Sequence, residues 1–409
     1  MQFLRIATPL LATAVLLGGC ARGPGLDPVQ SPIDGGVRVA TFNIRELSTA
    51  MLTQVDAKGA GINAQALSAA RVIQAVRPDI LAINEMDHDY STPAAEREPW
   101  LNAVRFQDNY LMRGDSPIIY PYIYVRPCNT GILSGRDLDN NGTAATMAEV
   151  NTRDYGNDCF GYGNYPGQYS MALYSMFPID YDAARTFRLF RWIDLPGSHI
   201  PAGYYSEEAL RVFRLSSKSH WDVPVTVNGS TIHLLLSHPT PQGFDGAEDR
   251  NGRRNFDEIR FWRLYLDNAE SIYDDTGTRG GLAPEKEFVV LGDLNASPVE
   301  GARYDGMFAI QQLLTHPRVV DSTPLQSSFG SLKGRTPGAP MFRERHTFGS
   351  GDTRQIDYAL PSRGLRVLGG GVYWPAAQHD YWGTVVAEHA SDHRMPWIDV
   401  TPVSKLPRK

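Results

Sequence analysis

The chain is poor in several things that would have narrowed its function. Positive charge is not in excess: 39 Lys and Arg face 45 Asp and Glu, for a net charge of −6. No global basic field therefore holds nucleic acid by counterion release, although an enzyme with a local basic groove stays open. Only three cysteines occur, at positions 20, 128 and 159. No residue beside Cys128 or Cys159 supplies a base, which argues against a cysteine nucleophile. No internal repeat of 20–50 residues is visible, so solenoid and propeller arrays are set aside. The apolar run Ile6 to Leu17 is too short to span a bilayer. Wholesale disorder is excluded by a composition that is 42% hydrophobic and 21% charged.

What is present begins with an export signal. Arg5 forms a thin positive region before the apolar run, and Leu17-Gly18-Gly19-Cys20 resembles a bacterial lipobox, the site at which Cys20 would be lipidated. An ordinary signal peptide with an incidental cysteine is the alternative. Residues 1–20 are thus expected to be a lipoprotein signal, and 21–36, rich in Pro and Gly, an extended tether. The expected location is the bacterial cell envelope, lipid-anchored. In an oxidising compartment Cys128 and Cys159 would pair. Such a disulfide would contribute roughly 3–4 kcal/mol; two free buried thiols are the other possibility.

Apolar periodicity places the elements. Strands are expected at 37–42, 80–83, 171–174, 231–236, 287–291, 355–360, 367–373 and 397–400, and helices at 64–76, 256–273 and 307–314. Residues 126–168 turn to Asn, Gly, Asp and aromatics without periodicity, as an insertion would. The mixture implies one α/β domain over 37–402.

Several apolar runs end on a polar residue: Asn43, Glu85, His238, Asp293 and Asp357. In open α/β sheets ligands bind beyond the carboxyl ends of the strands. Hard divalent cations such as Mg²⁺ take oxygen ligands, typically one or two carboxylates with water and substrate phosphate. Glu85 and Asp392, with Asn43 nearby, furnish such a set as metal ligands. His238 and His393 are candidate acid/base centres, because imidazole titrates near neutrality, and Asp357 could orient an imidazole. After His238, five arginines offset five carboxylates up to Arg263. Arg250, Arg253 and Arg254 could clamp a substrate phosphate, or the stretch could be a solvated loop and a salt-bridged helix start. Asp137, Asp139 and Asn141, followed by Gly142, fit the first half of a calcium loop, but Ala148 stands where the bidentate Glu would be. A degenerate Ca²⁺ loop competes there with an Asn/Gly turn.

Thr41-Phe42-Asn43, Ile83-Asn84-Glu85, Ser237-His238, Gly292-Asp293-Leu294-Asn295, Ile356-Asp357-Tyr358 and Ser391-Asp392-His393 together resemble the ordered motifs of the endonuclease/exonuclease/phosphatase superfamily. The resemblance implies a four-layer α/β sandwich: two mainly antiparallel sheets flanked by helices, with surface insertions. It implies hydrolysis of phosphate esters dependent on Mg²⁺ (or Mn²⁺), by in-line attack of water. By position, Glu85 would be the principal metal ligand with Asn43 in the same shell and Asp392 near it. Asp293 would position or deprotonate the water, Asn295 would contact phosphoryl oxygens, His393 held by Asp357 would stabilise the transition state, and His238 would act on the leaving-group side. Two departures stand out: Arg45 occupies a position where some members carry an acidic ligand, and Pro239 follows His238 in place of Leu. The substrate would be DNA or RNA, or else a lipid or sugar phosphate as in phosphatases and sphingomyelinase-like phospholipases C. The chain is expected to be a monomer that meets the membrane only through its anchor. A non-catalytic surface binding lipoprotein is the reading outside catalysis.

Overall fold

The computed structural model describes residues 29–32, 35–90, 98–321, 345–349, 353–375 and 381–402. The signal segment 1–20, Cys20 and most of the expected tether lie outside the described residues. Among these residues there is no helix long and apolar enough to cross a membrane.

Two sheets carry the fold. The strands of the first are β1 (Val37–Leu47), β2 (Ile80–Met86), β3 (Tyr122–Tyr124), β4 (Met171–Ser175), and, from the end of the chain, β12 (Leu365–Val372) and β13 (Pro396–Pro402). The second holds β5 (Arg185–Thr186), β6 (His220–Val227), β7 (Ser230–Ser237), β8 (Glu287–Asp293) and β11 (Asp357–Pro361). Their orders are β12-β13-β1-β2-β4-β3 and β11-β8-β7-β6-β5. β1–β2 and β7–β8 are parallel pairs and the other pairings are antiparallel.

Strand alternation sorts the side chains into layers. Val37 and Val39 of β1, Ile80 and Ala82 of β2, Ile232, Leu234 and Leu236 of β7, and Val289 and Leu291 of β8 meet in one core between the sheets. The alternate residues Ala40, Phe42, Ile44, Leu81 and Ile83 face outward onto the helices α1 (Ala64–Val76) and α3 (Tyr381–Ala390). Leu235, Phe288 and Val290 face the other way, onto α2 (Arg250–Leu266) with Phe256, Ile259 and Trp262. Helix, sheet, sheet, helix is therefore the layer order, and two sheets buried on both faces explain the nearly continuous apolar runs.

Each parallel pair is joined by a helix, as a parallel connection requires. Asn63 caps α1 by accepting from Ala66 N, and Arg77 (φ 51°) closes it before Pro78, which cannot extend the helix. α2 starts six residues earlier than its apolar periodicity suggests, where Asp245 Oδ2 accepts from the first-turn Asn251 N at 2.7 Å, and it ends at Leu266. The expected helix at 307–314 divides: Met307–Phe308 is β10, paired in a hairpin with β9 (Arg303–Tyr304), and only Gln311–Leu314 is helical. β6, α3 and the helical turn Leu101–Phe106 were not expected.

The segment 126–168 has little regular structure, yet it feeds the cores: Cys128 packs between the sheets, while Leu138 and Phe160 join the layer under α2. The expected Cys128–Cys159 disulfide is absent, and both thiols are free and buried. The physical reason is that each belongs to a different environment. Cys128 sits in the inter-sheet core, whereas the Cys159 thiol donates to Tyr155 O at 3.1 Å. Burial pushes both thiols up to about 12, so they are inert at neutral pH.

Candidate active site

The topology gathers the polar strand ends at one edge. In the parallel pair β1–β2, Asn43 lies opposite Asn84; in β7–β8, Leu236 pairs with Leu291, so both chains run out together into Ser237-His238 and Gly292-Asp293. β11 runs antiparallel to β8 with Asp357 directly opposite Asp293. The two sheets are stitched at this end, where Asp293 N donates to Asn84 Oδ1 at 3.0 Å.

Asp293 is the hub. Its Oδ2 accepts from Asn43 Nδ2 at 2.9 Å and lies 3.4 Å from His238 Nε2 and 3.8 Å from His393 Nε2. Its Oδ1 accepts from Asn295 N at 2.9 Å. The same Asn43 amide donates to Glu85 Oε1 at 2.9 Å, and Glu85 Oε1 is 3.9 Å from His238 Nε2. His393 Nδ1 is 2.9 Å from Asp357 Oδ2, which also accepts from Thr347 Oγ1 at 2.7 Å. The Ser391 hydroxyl fixes the turn before His393 by donating to Asn43 O (2.7 Å) and accepting from His393 N (3.0 Å). Asn295 (φ 48°) donates its amide to Pro239 O at 3.1 Å, so the proline after His238 is tied to the Asp293 loop.

These contacts set the charges. Burial disfavours the imidazolium of His393, but the neighbouring Asp357 and Asp293 carboxylates outweigh it and raise the group to about 10. Burial likewise works against the charge of Asp293, yet His393 and the His238 contact hold its carboxyl well below the usual range. Burial raises Asp357 to about 6. His238 is lowered, by burial first and then by the charge of Lys218. At neutral pH the edge thus holds an ionised Asp293 between a protonated His393 and a neutral His238.

Glu85, His238 and Asp293 offer ligand atoms within 4.8 Å of one another. Two carboxylates sharing one amide donor, with oxygen and imidazole donors converging, fit a hard divalent cation. Asp392 is not in this cluster: its side chain is exposed, with Ser391 Oγ 3.5 Å away, and its carbonyl accepts from Gly349 N.

The arginines that could clamp phosphate make contacts within the protein. Arg254 is buried and donates to the carbonyls of Leu215, Phe160 and Arg214. Arg250 pairs with Glu248 and the Tyr204 hydroxyl, and Arg253 donates to Glu248 O and lies over the Tyr304 ring. The reason is that α2 buries its charged face: Asp257 and Glu258, read as solvated, are fully buried. Glu258 Oε1 accepts from Ser217 N at 2.7 Å and its Oε2 from Thr240 N at 2.6 Å. One turn earlier Asn255 donates to Thr240 O and Leu294 O. Asn255 and Glu258 therefore pin the three loops that carry Lys218, His238 and Asn295. Sequence reading missed them; their i, i+3 spacing on an otherwise apolar helix face was the available signal.

In the 126–168 segment, Asp137 and Asp139 converge with Asp158, which the motif did not include, within 4.8 Å. Asn141 instead accepts from Thr143 N and Oγ1. Asp158 accepts from Leu138 N and Ala145 N, each at 2.7 Å, so it braces the loop.

Residues 40–393 match the Endonuclease/Exonuclease/phosphatase family. The chain belongs to this family. Its members are phosphoesterases. Among solved structures, an endonuclease/exonuclease/phosphatase from Beutenbergia cavernae DSM 12333 is similar at 16% identity, over 90% of this chain and 72% of that one, with a TM-score of 0.48. TDP2 from C. elegans is similar at 13% identity (91% and 77% covered, TM-score 0.41), and sphingomyelinase C from Streptomyces griseocarneus at 14% (89% and 99%, TM-score 0.41). No curated protein matches the chain.

Proposed function

We propose that this family member is a divalent-metal-dependent phosphodiesterase, most simply a nuclease, that works as a monomer outside the cytoplasm on a lipid anchor at Cys20. The observation that carries the catalytic part is the buried Asp293 carboxylate, set between two histidines of opposite protonation and linked through Asn43 to Glu85. The anchor rests on Leu17-Gly18-Gly19-Cys20.

Glu85, with Asn43 and the adjoining face of Asp293, would hold Mg²⁺ or Mn²⁺; when bound, the ion supplies positive charge to phosphoryl oxygens. Asp293, ionised and fixed by Asn295 N, orients a water and takes its proton. His393, kept protonated by Asp357, places a fixed positive charge where charge grows on the phosphoryl group. Neutral His238 hydrogen-bonds on the leaving-group side, and Asn295 holds a phosphoryl oxygen. Asp392, exposed at the rim, is assigned a place near the outer face of the cation rather than among its direct ligands. For a structural Ca²⁺, Asp137, Asp139 and Asp158 are the proposed set in place of Asn141, and chelation by EGTA should then lower the melting temperature.

Purified protein lacking residues 1–21 should cleave plasmid DNA or RNA with Mg²⁺ and not with EDTA, and Asp293→Ala should abolish cleavage. Cleavage of sphingomyelin or of small monoesters in place of nucleic acid would move the substrate to lipid or sugar phosphates. Inertness toward all of these would favour a binding lipoprotein.

A further inference from the structure

The site's environment contains a largely buried cation that the reaction scheme above does not use. Lys218 precedes β6 and is only 6% exposed. Its charge acts on Glu258, Glu85 and Asp293, and it is felt by His238. Among the described residues, however, its ammonium makes neither a hydrogen bond nor an ion pair. An ammonium carries three donors, and here the fold supplies no acceptor for them.

The backbone beneath it is held firmly. Ser217 N donates to Glu258, Ser217 Oγ donates to His238 O at 3.2 Å, and Lys218 O accepts from Asn129 N at 2.8 Å. Gly161 is packed so tightly on this turn that a Cβ there would stand 1.7 Å from Ser217 O. Several separate parts of the chain thus hold one unpartnered cation beside the Asp293 edge. Arg254 donates to main-chain carbonyls, while Arg250 bonds Glu248 and the Tyr204 hydroxyl and Arg253 bonds Glu248 O.

We propose that Lys218 is a catalytic residue whose ammonium donates to a non-bridging oxygen of the substrate's phosphate group. This rests on the phosphodiesterase reading. Lys218 stays protonated throughout and transfers no proton; it adds a fixed positive charge to the phosphate.

The test uses metal-loaded wild type, Lys218→Met, Lys218→Gln and Lys218→Arg. Inorganic phosphate binding is measured by calorimetry, and turnover with bis(p-nitrophenyl) phosphate. The Met and Gln variants should bind phosphate at least tenfold more weakly and lose about 10²-fold in kcat, the scale for deleting one charge-stabilising donor. Lys218→Arg should recover part of both. Melting temperatures should stay equal or rise, since no hydrogen bond or ion pair of the side chain is lost; a purely structural lysine would lower them. Phosphate affinity within twofold of wild type in Lys218→Met or Lys218→Gln overturns the proposal, as does a wild type that binds no phosphate. If wild type binds phosphate through Lys218 but hydrolyses no ester, the phosphodiesterase reading fails and the phosphate contact stands. If hydrolysis and phosphate binding both survive the loss of Lys218, only the contact fails.

Discussion

At the scale of single residues, the protein separates carboxylates and histidines of the same type by their surroundings. His393 and His238 flank one carboxylate, yet one is raised to about 10 and the other lowered. His393 has Asp357 as a second buried negative partner, whereas His238 feels the positive charge of Lys218. Asp357→Asn should therefore drop His393 toward or below its ordinary value of 6.5, readable in the metal-free protein by NMR titration of its ring protons. The stability consequence has a definite sign. A histidine raised on folding contributes stability that is complete below 6.5 and is lost as pH climbs toward 10. Wild type should lose thermal stability across that window, and the variant should show a flatter profile; an equally steep profile would count against the pair. Arg254 teaches the opposite lesson, that an arginine beside a catalytic edge can be purely internal. Arg254→Met strands three carbonyls, so it should cost on the order of 3 kcal/mol in urea unfolding while phosphate affinity stays unchanged.

At the scale of elements, strand ends and one helix cooperate. β8 leaves its pairing with β7 at Gly292 (φ 142°), where an added Cβ would stand 2.0 Å from Ser237 O. That contact is main chain on the neighbouring parallel strand, so it cannot rotate away. Gly292→Ala should cost at least about 3 kcal/mol and displace Asp293. Chemical denaturation read together with turnover would check this, and a variant of wild-type stability would refute the tight β7–β8 exit. Most of this was legible beforehand, since the strands at 80–83, 231–236 and 287–291 fall within the observed elements. β6 escaped notice because Pro224 and Asp222 interrupt its pattern; the Asp222 carboxylate is matched by His233 at 2.7 Å and the Tyr265 hydroxyl. The charged face of α2 was misread because a run of Arg, Asp and Glu usually means solvent. Here it is buried against loops whose free backbone groups need partners.

At the scale of the whole molecule, stability comes from three apolar layers and not from covalent staples. Reducing agent should leave the melting temperature unchanged. Two thiols should titrate only after denaturation; a fall of more than about 5 °C on reduction would restore the disulfide.

By itself the sequence determined the strand-end chemistry: Asn43, Glu85, His238, Asp293, Asp357 and His393 are readable because a buried strand that stops on a polar residue leaves a strong local signature. Tertiary structure alone decided which distant groups share a proton or a loop. Asp158 joining Asp137 and Asp139, Asn255 and Glu258 gripping three loops, Asp392 turned outward and Lys218 left without a partner all depend on long-range contacts. Hydrogen bonding and desolvation depend on distance in space, and nothing in local spacing encodes which segments the two sheets will bring together.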